Sequence, residues 1–103
     1  MKSGNQRPLP EPPGHLSERS QALWRELVRY RCDSAERRLL LECALTDLDR
    51  ADRLQEAIDR EGVTITSTRS KLARAHPALK IEAEMRRRFL AAWRALDLTW
   101  REQ

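Results

Sequence analysis

One long segment constrains the fold of this chain more than any other, because residues 33–62 read as a single uninterrupted helix with both ends marked. Asp33 precedes Glu36 by three residues, the spacing of a capping box in which two side chains bond the free backbone N–H groups of a helix start. Gly62 follows as a residue that readily adopts the left-handed conformation that closes helices. At about 1.5 Å per residue the rod is about 40 Å long, so it predicts the axis of the fold.

The two halves of this predicted helix carry apolar faces of different width. In the first half, apolar side chains cover roughly two thirds of the circumference, compared with the ~100° stripe of an ordinary surface helix. They are Leu39, Leu40, Leu41, Cys43, Ala44, Leu45 and Leu48. In the second half, apolar side chains cover only about a third. They are Ala51, Leu54, Ala57 and Ile58. One partner helix can cover the second half, whereas the first half needs more.

Length and composition predict one mostly helical domain. A chain of 103 residues can form one core but not two, and its charged fraction of 35% suits helices with solvated outer faces. Cys32 and Cys43 lack the spacing of a redox motif, and no apolar run has the length of a membrane span. We therefore expect reduced thiols and a cytosolic protein.

The basic charge is concentrated in the last forty residues. Residues 64–103 contain nine basic and four acidic side chains, whereas residues 16–63 contain nine basic and eleven acidic ones. The net charge of the whole chain is +4. A polyanion such as nucleic acid would therefore be attracted to the C-terminal part.

The N-terminal part predicts a leader and a first helix. Residues 1–15 hold four of the five prolines, so we expect an extended, mobile leader ahead of a single domain at residues 16–103. Ser17 is the candidate N-cap of a helix that continues to about Arg31. Leu23, Trp24, Leu27 and Val28 share one face of it, while Arg25 and Arg29 lie together on the opposite side.

Only about three residues, 32–34, separate the first helix from the central helix, and two arrangements of these helices are possible. Plain antiparallel packing of the first two helices is the preferred interpretation. The alternative is a helix-turn-helix, in which the positions that read DNA bases lie at the start of the second helix. Those positions are Ala35, Glu36, Arg37 and Arg38.

After the central helix, the sequence predicts a connector and a third helix. Residues 63–66 are β-branched and predict an extended segment, with residues 71–74 as a return strand or, alternatively, part of a loop. His76 and Pro77 open the last helix, with Pro at the first helical position. Its apolar stripe is expected to pack on the central helix and consists of Ala78, Ile81, Met85, Phe89, Ala92, Trp93 and Leu96. The expected fold class is therefore all-α, with three helices, a long antiparallel helical hairpin and a short extended or β-hairpin connector.

Two surfaces are candidate binding sites. One candidate site consists of basic residues on the last helix, opposite its apolar stripe, together with basic residues in the connector. These residues are candidates for contacts with DNA phosphates. The alternative is an ordinary solvated helix face. They are Arg69, Lys71, Arg74, Lys80, Arg87 and Arg94. Apolar residues in excess of what one chain can cover are candidates for an oligomer interface, unless the first helix and the leader cover them. They are Leu39, Leu40, Leu41, Leu45, Leu79 and Leu90.

No pattern of residues indicates catalysis, a cofactor or a metal. His15 lies in the leader and His76 at a helix start, and neither belongs to a nucleophile or metal-ligand motif. Asp47, Asp49 and Asp52 are interpreted as part of a solvated face. We therefore expect a protein that is not an enzyme and has no cofactor.

Several motifs, in the same order along residues 12–99, resemble the P27 family of phage terminase small subunits. They are Pro12-Pro13-Gly14-His15-Leu16-Ser17, Leu23-Trp24-Arg25-Glu26-Leu27, Glu61-Gly62-Val63-Thr64, His76-Pro77-Ala78-Leu79-Lys80-Ile81-Glu82 and Leu96-Asp97-Leu98-Thr99. The chain departs from the family pattern at Asp97, where Gly is usual, and at Trp100, where Pro is usual.

The resemblance implies a function in viral DNA packaging. It implies a non-catalytic adaptor that binds double-stranded viral DNA, assembles into a ring and delivers the DNA to the large terminase subunit, which holds the ATPase and nuclease. The implied location is the cytoplasm of a bacterial host. Two alternatives are a helix-turn-helix transcription regulator and a helical scaffold protein that binds no nucleic acid.

Overall fold

The first helix begins where the sequence predicts. The computed structural model describes residues 9–62, 64–66 and 73–98. Helix α1 comprises Glu18–Tyr30, and the Ser17 hydroxyl accepts a hydrogen bond of 3.2 Å from the backbone N–H of Ser20. The prediction of Ser17 as the N-cap is therefore confirmed. Trp24 and Val28 are buried on the inner face of α1.

The central helix, α2, comprises Ala35–Glu61. Its N-cap is Ser34, whose hydroxyl accepts a hydrogen bond of 3.1 Å from the backbone N–H of Arg37. The prediction that Asp33 fills this position is wrong, because a hydroxyl one residue later satisfies the free N–H group instead. At the other end Gly62 has a positive φ of 89°, as expected, but its ψ of 160° is extended rather than helical. This combination is almost restricted to glycine.

Two short strands lie between α2 and the last helix. Thr64–Thr66 (β1) pairs with Ala73–Ala75 (β2) in an antiparallel arrangement. Residues 67–72, which connect the two strands, lie outside the described residues. Because paired antiparallel strands reverse the chain, the last helix starts near the end of α2.

Helix α3 comprises Ala78–Ala95, and a histidine caps its start. Pro77 is the N-cap residue rather than the first helical residue, and it has no side-chain capping bond. Instead, Nδ1 of His76 accepts a hydrogen bond of 3.0 Å from the backbone N–H of Ala78. Since Nδ1 is an acceptor, Nε2 carries the proton and donates to a carboxylate oxygen of Glu61 at 2.6 Å. His76 thus joins the two ends of the helical hairpin.

The C-terminal end of α3 forms a Schellman motif. Asp97 has φ 57°, and its N–H bonds the carbonyl of Arg94 at 3.0 Å. The N–H of Leu98 bonds the carbonyl of Trp93 at 3.3 Å. Leu98 belongs to the core, and the half-buried side chain of Trp93 packs against that core. These two backbone bonds define the motif. Asp97 therefore adopts the conformation for which glycine is the usual residue.

Helices α2 and α3 run antiparallel along their length. Contacts at the connector end, in the middle and at the far end join Glu61 to His76, Asp52 to Arg86, and Arg37 to the carbonyl of Leu96. These contacts follow one another along the two helices in the order that an antiparallel helical hairpin requires. The described parts of the fold consist of three helices and the two-stranded connector.

The core lies where α1 meets the first half of α2 and the residues after α3. Its buried members are Leu16, Trp24, Val28, Cys32, Leu41, Leu45, Leu96 and Leu98. The wide apolar face of α2 is thus covered on two sides by segments of the same chain.

A buried carboxylate fastens α1 to α2. Asp49 is 4% exposed, and its oxygens accept hydrogen bonds from the N–H of Ser17 (2.7 Å), the hydroxyl of Ser17 (2.8 Å) and the hydroxyl of Ser20 (2.6 Å). Burial acts to raise the pKa of Asp49, but the hydrogen bonds from Ser20 and Ser17, with the charge of Arg53, together lower it below its ordinary value. The interpretation of Asp49 as part of a solvated face is therefore wrong.

The end of the predicted leader contacts the helices. The indole N–H of Trp24 donates to the carbonyl of Pro10 at 3.4 Å, and Nε2 of His15 lies 2.8 Å from the hydroxyl of Thr46. Residues 1–8 of the predicted leader lie outside the described residues.

Candidate nucleic-acid interface

Three basic residues of α3 form a row that we call the basic line, and this row is exposed. Lys80, Arg87 and Arg94 are all accessible to solvent. Glu84 partly neutralises the line, because its carboxylate forms ion pairs with Arg87 and, at 3.6 Å, with Arg88. Exposed pairs of this kind are worth roughly 0–1 kcal/mol, so a phosphate can compete with Glu84 for these guanidinium groups. The face can bind an anion, although with less charge than the sequence suggests.

The basic residues of the connector are only partly described. Arg74 lies in β2, opposite Ile65 in β1. Arg69 and Lys71 lie outside the described residues.

The predicted oligomer-interface residues divide into buried and accessible ones. Leu41 and Leu45 are fully buried inside the single chain. Including them in an interface is therefore wrong, because α1 and the turn after α3 already cover them. Leu39 is 64% exposed and Leu90 is 47% exposed, while Leu40 and Leu79 are half-buried.

An accessible surface runs along α2 and onto α3, and most of its apolar residues are not among the predicted interface residues. We call it the open face and define it by Leu39, Cys43, Leu54, Ile81 and Met85. Ile81 was expected to pack against α2, yet 51% of its surface is exposed. Its position at the edge of the predicted apolar stripe is the signal that could have shown this.

Two grooves make up the open face. One has a volume of about 330 Å³ and is lined by Leu54, Ile81 and Met85 with Arg50 and Arg53. The other, also about 330 Å³, lies on α2 and shares Arg50 with the first. Its lining combines Leu39 and Cys43 with the polar residues Glu42, Thr46 and Asp47. Apolar side chains beside exposed arginines are typical of surfaces that bind another protein chain.

The sequence of this chain matches the family model described as phage terminase, small subunit, over residues 20–102. The match runs from the first turn of α1 through α2, the connector and α3. The chain belongs to the phage terminase small subunits. No curated protein and no solved structure matches it.

Membership of the terminase small subunits supports a role in phage DNA packaging. The family is generally non-catalytic. Within the described residues, no group of three or more His, Cys, Asp or Glu side chains could hold a metal ion. The helices of the same described part include none that is long and apolar enough to cross a membrane.

Proposed function

We propose that this terminase small subunit is a non-catalytic DNA-packaging adaptor, as its P27-like motifs imply. It binds double-stranded viral DNA, assembles into a ring in the cytoplasm of the bacterial host, and presents the DNA to the large subunit that carries the ATPase and nuclease. The observation that carries the proposal is the family match over residues 20–102. The open face and the basic line on α3 supply the two kinds of contact that this function needs.

The open face supports assembly from several identical chains. Apolar groups on it, such as Ile81 and Leu39, would contact water in a single chain. Leu79, Ala83 and Leu90 lie on one side of α3 and form a second, smaller apolar patch, which we call the Leu79–Leu90 patch. Contact between the open face of one subunit and the Leu79–Leu90 patch of the next is heterologous, and a heterologous interface closes into a ring when the rotation between subunits permits.

Cys43 offers a direct measurement of this interface. The chain has two cysteines, of which Cys32 is fully buried and Cys43 is exposed on the open face. Burial also raises the pKa of the Cys32 thiol, so alkylation by a maleimide at neutral pH reports on Cys43. We expect slow labelling of Cys43 in the assembly and fast labelling after dilution or after Ile81→Asp. Fast labelling of the assembled protein would reject the open face as the interface.

For DNA, we propose contacts by the basic line and connector, namely Lys80, Arg87, Arg94, Arg69, Lys71 and Arg74. Phosphate contacts of this kind position a duplex without reading its sequence. Lys80 and Arg94 are the strongest candidates, because Arg87 shares its charge with Glu84. Repetition around a ring lets individually weak contacts hold DNA firmly.

The test is titration of a fluorescent duplex at several salt concentrations. Each phosphate neutralised contributes roughly −0.9 to the slope of log Kobs against log salt, so a multivalent ring should give a steep slope. We expect Lys80→Gln with Arg94→Gln to make the slope shallower. Arg60→Glu, which removes the same net charge from an exposed position on α2, is the matched control. Absence of duplex binding by the unmodified protein would reject the DNA-binding part of the proposal and favour a scaffold.

The helix-turn-helix alternative receives less support from the geometry. In that alternative, Arg37 is one of the residues at the start of α2 that would contact DNA bases. Its guanidinium instead donates hydrogen bonds to the backbone carbonyls of Arg31 and Leu96. An arginine that holds the chain's own carbonyls together is not available to read a base edge. If the protein were found to be a dimer that binds one palindromic sequence, the ring would be rejected in favour of the helix-turn-helix regulator.

A further inference from the structure

The outer face of α1 carries two arginines that the proposed function leaves unused. Arg25 and Arg29 are exposed and lie four residues apart, so their side chains emerge next to each other, with about 5–6 Å between Cβ atoms. Within the described part of the chain, neither arginine takes part in an ion pair, whereas Arg86, Arg87 and Arg88 on α3 all do. The α1 pair is therefore less neutralised than the basic residues in the middle of α3.

Open grooves flank both arginines. One, of about 330 Å³, lies between α1 and residues 9–12 of the leader. The other, of about 410 Å³, extends along α1 past Ala22 to Tyr30. Each groove includes one acidic residue, Glu11 in the first and Glu26 in the second. Both arginines thus line a groove between α1 and residues 9–12, and both also lie on the open outer side of α1.

An exposed aromatic residue accompanies the pair. Tyr30 is 68% exposed, and the guanidinium carbon of Arg29 lies 5.9 Å from the centre of its ring. At this distance the cation is attracted to the face of the ring. Tyr30 thereby restricts where the Arg29 guanidinium can point, although the ring itself contributes little to the core.

We propose that Arg25 and Arg29 form a second phosphate-contacting surface for double-stranded DNA, with Tyr30 as a positioning residue for Arg29. The inference rests on the proposed function and adds a site on a different helix. Guanidinium groups suit this role because their planar donors match phosphate oxygens in pairs. In a ring, every subunit would contribute one such pair, so the contacts would multiply around the assembly.

The experiment compares the unmodified protein with two variants in duplex titrations across a range of salt concentrations. Arg25→Gln with Arg29→Gln removes two positive charges, and Arg60→Glu removes the same net charge elsewhere. For each subunit that touches the duplex, the double variant should make the slope of log Kobs against log salt shallower by about 1.8, from two contacts at roughly 0.9 each. Arg60→Glu should leave the slope unchanged. Circular dichroism melting establishes that the variants are equally folded.

A second pair of variants tests the positioning role of Tyr30. Tyr30→Ala should weaken duplex binding several-fold without changing the melting temperature, and Tyr30→Phe should restore it because the ring is retained. A purely structural role would change the melting temperature together with affinity. Equal affinity of the Ala variant and the unmodified protein would overturn the positioning role.

The outcomes separate this inference from the proposed function. If the unmodified protein binds DNA and the Arg25/Arg29 variant keeps the full slope, the α1 surface is rejected while the packaging role stands. If the variant keeps its DNA affinity but loses binding to the large subunit, the surface belongs to an acidic protein partner, and the inference is overturned. If the unmodified protein binds no duplex, both proposals fail.

Discussion

Replacing Asp49 tests whether the buried carboxylate holds α1 on α2. The substitution Asp49→Ala removes the acceptor of three hydrogen bonds, two from Ser17 and one from Ser20. A hydrogen bond to a charged group contributes about 1.5–3 kcal/mol, but three are not additive here, since Ser17 is exposed and can bond water instead. Ser20 is fully buried, and an unsatisfied buried hydroxyl costs about 1–3 kcal/mol. We expect a total loss of about 3 kcal/mol in the free energy of unfolding.

For a chain of 103 residues this loss lowers the melting temperature by roughly 10–20 °C. The assay is thermal and urea unfolding followed by circular dichroism at pH 7, at one fixed protein concentration because association shifts apparent stability. Asp49→Asn is the matched variant. It keeps the shape and one carbonyl acceptor but loses the charge, so it should cost about 1–2 kcal/mol.

The pH dependence gives an independent check. The pKa of Asp49 is lowered in the folded protein from its ordinary value of 3.8. The ionised carboxylate of Asp49 therefore makes its full contribution to the free energy of unfolding above about pH 4. This contribution is lost as the pH falls through the pKa that Asp49 has in the folded protein. The Asn variant cannot lose this contribution, so the stability difference between it and the unmodified protein should shrink in acid. A cost below about 0.5 kcal/mol for Asp49→Ala at pH 7, or an unchanged stability difference in acid, would show that the Asp49 carboxylate does not hold α1 on α2.

Substitutions at three positions, Gly62, His76 and Asp97, test the ends of the hairpin by thermal unfolding. Gly62→Ala should cost about 1–3 kcal/mol, because φ 89° with ψ 160° suits only glycine; a neutral result would contradict that backbone geometry. His76→Ala should cost about 1 kcal/mol by removing the cap of α3, whereas His15→Ala, at an exposed residue, should cost less; equal costs would argue against the cap. Asp97→Val should cost about 1–2 kcal/mol at φ 57° and Asp97→Gly should be tolerated; the reverse order would count against the Schellman motif.

The helices could be predicted from sequence because their signals are local. Ser17 lies directly before an apolar helical pattern, and Gly62 directly after one, so the structure confirms both as helix ends. The start of α2 was misplaced because Asp33 and Ser34 are both good caps, and only the backbone geometry decides between them. The Asp97 turn shows the opposite case, since a residue less suited than glycine still adopts positive φ when the core contact of Leu98 requires it.

The candidate surfaces were harder to predict because they depend on tertiary cover. A helical wheel shows that Leu41 and Leu39 are both apolar, but it cannot show that α1 and the turn after α3 cover Leu41 and leave Leu39 exposed. In the same way, the sequence does not distinguish Asp49 from the acidic residues near it. Only the folded structure shows that the N-terminus of α1 lies against Asp49. The exposure of Ile81 depends on how far α3 is rotated about its own axis, which a wide apolar stripe leaves undetermined.

Native mass spectrometry of the purified protein, repeated over a tenfold range of concentration, tests directly whether the chain assembles into a ring. We expect a closed homo-oligomer of more than two copies of the 12.1 kDa chain, with one defined stoichiometry, which Ile81→Asp dissociates into folded subunits. A folded monomer or a simple dimer across the whole range would contradict it.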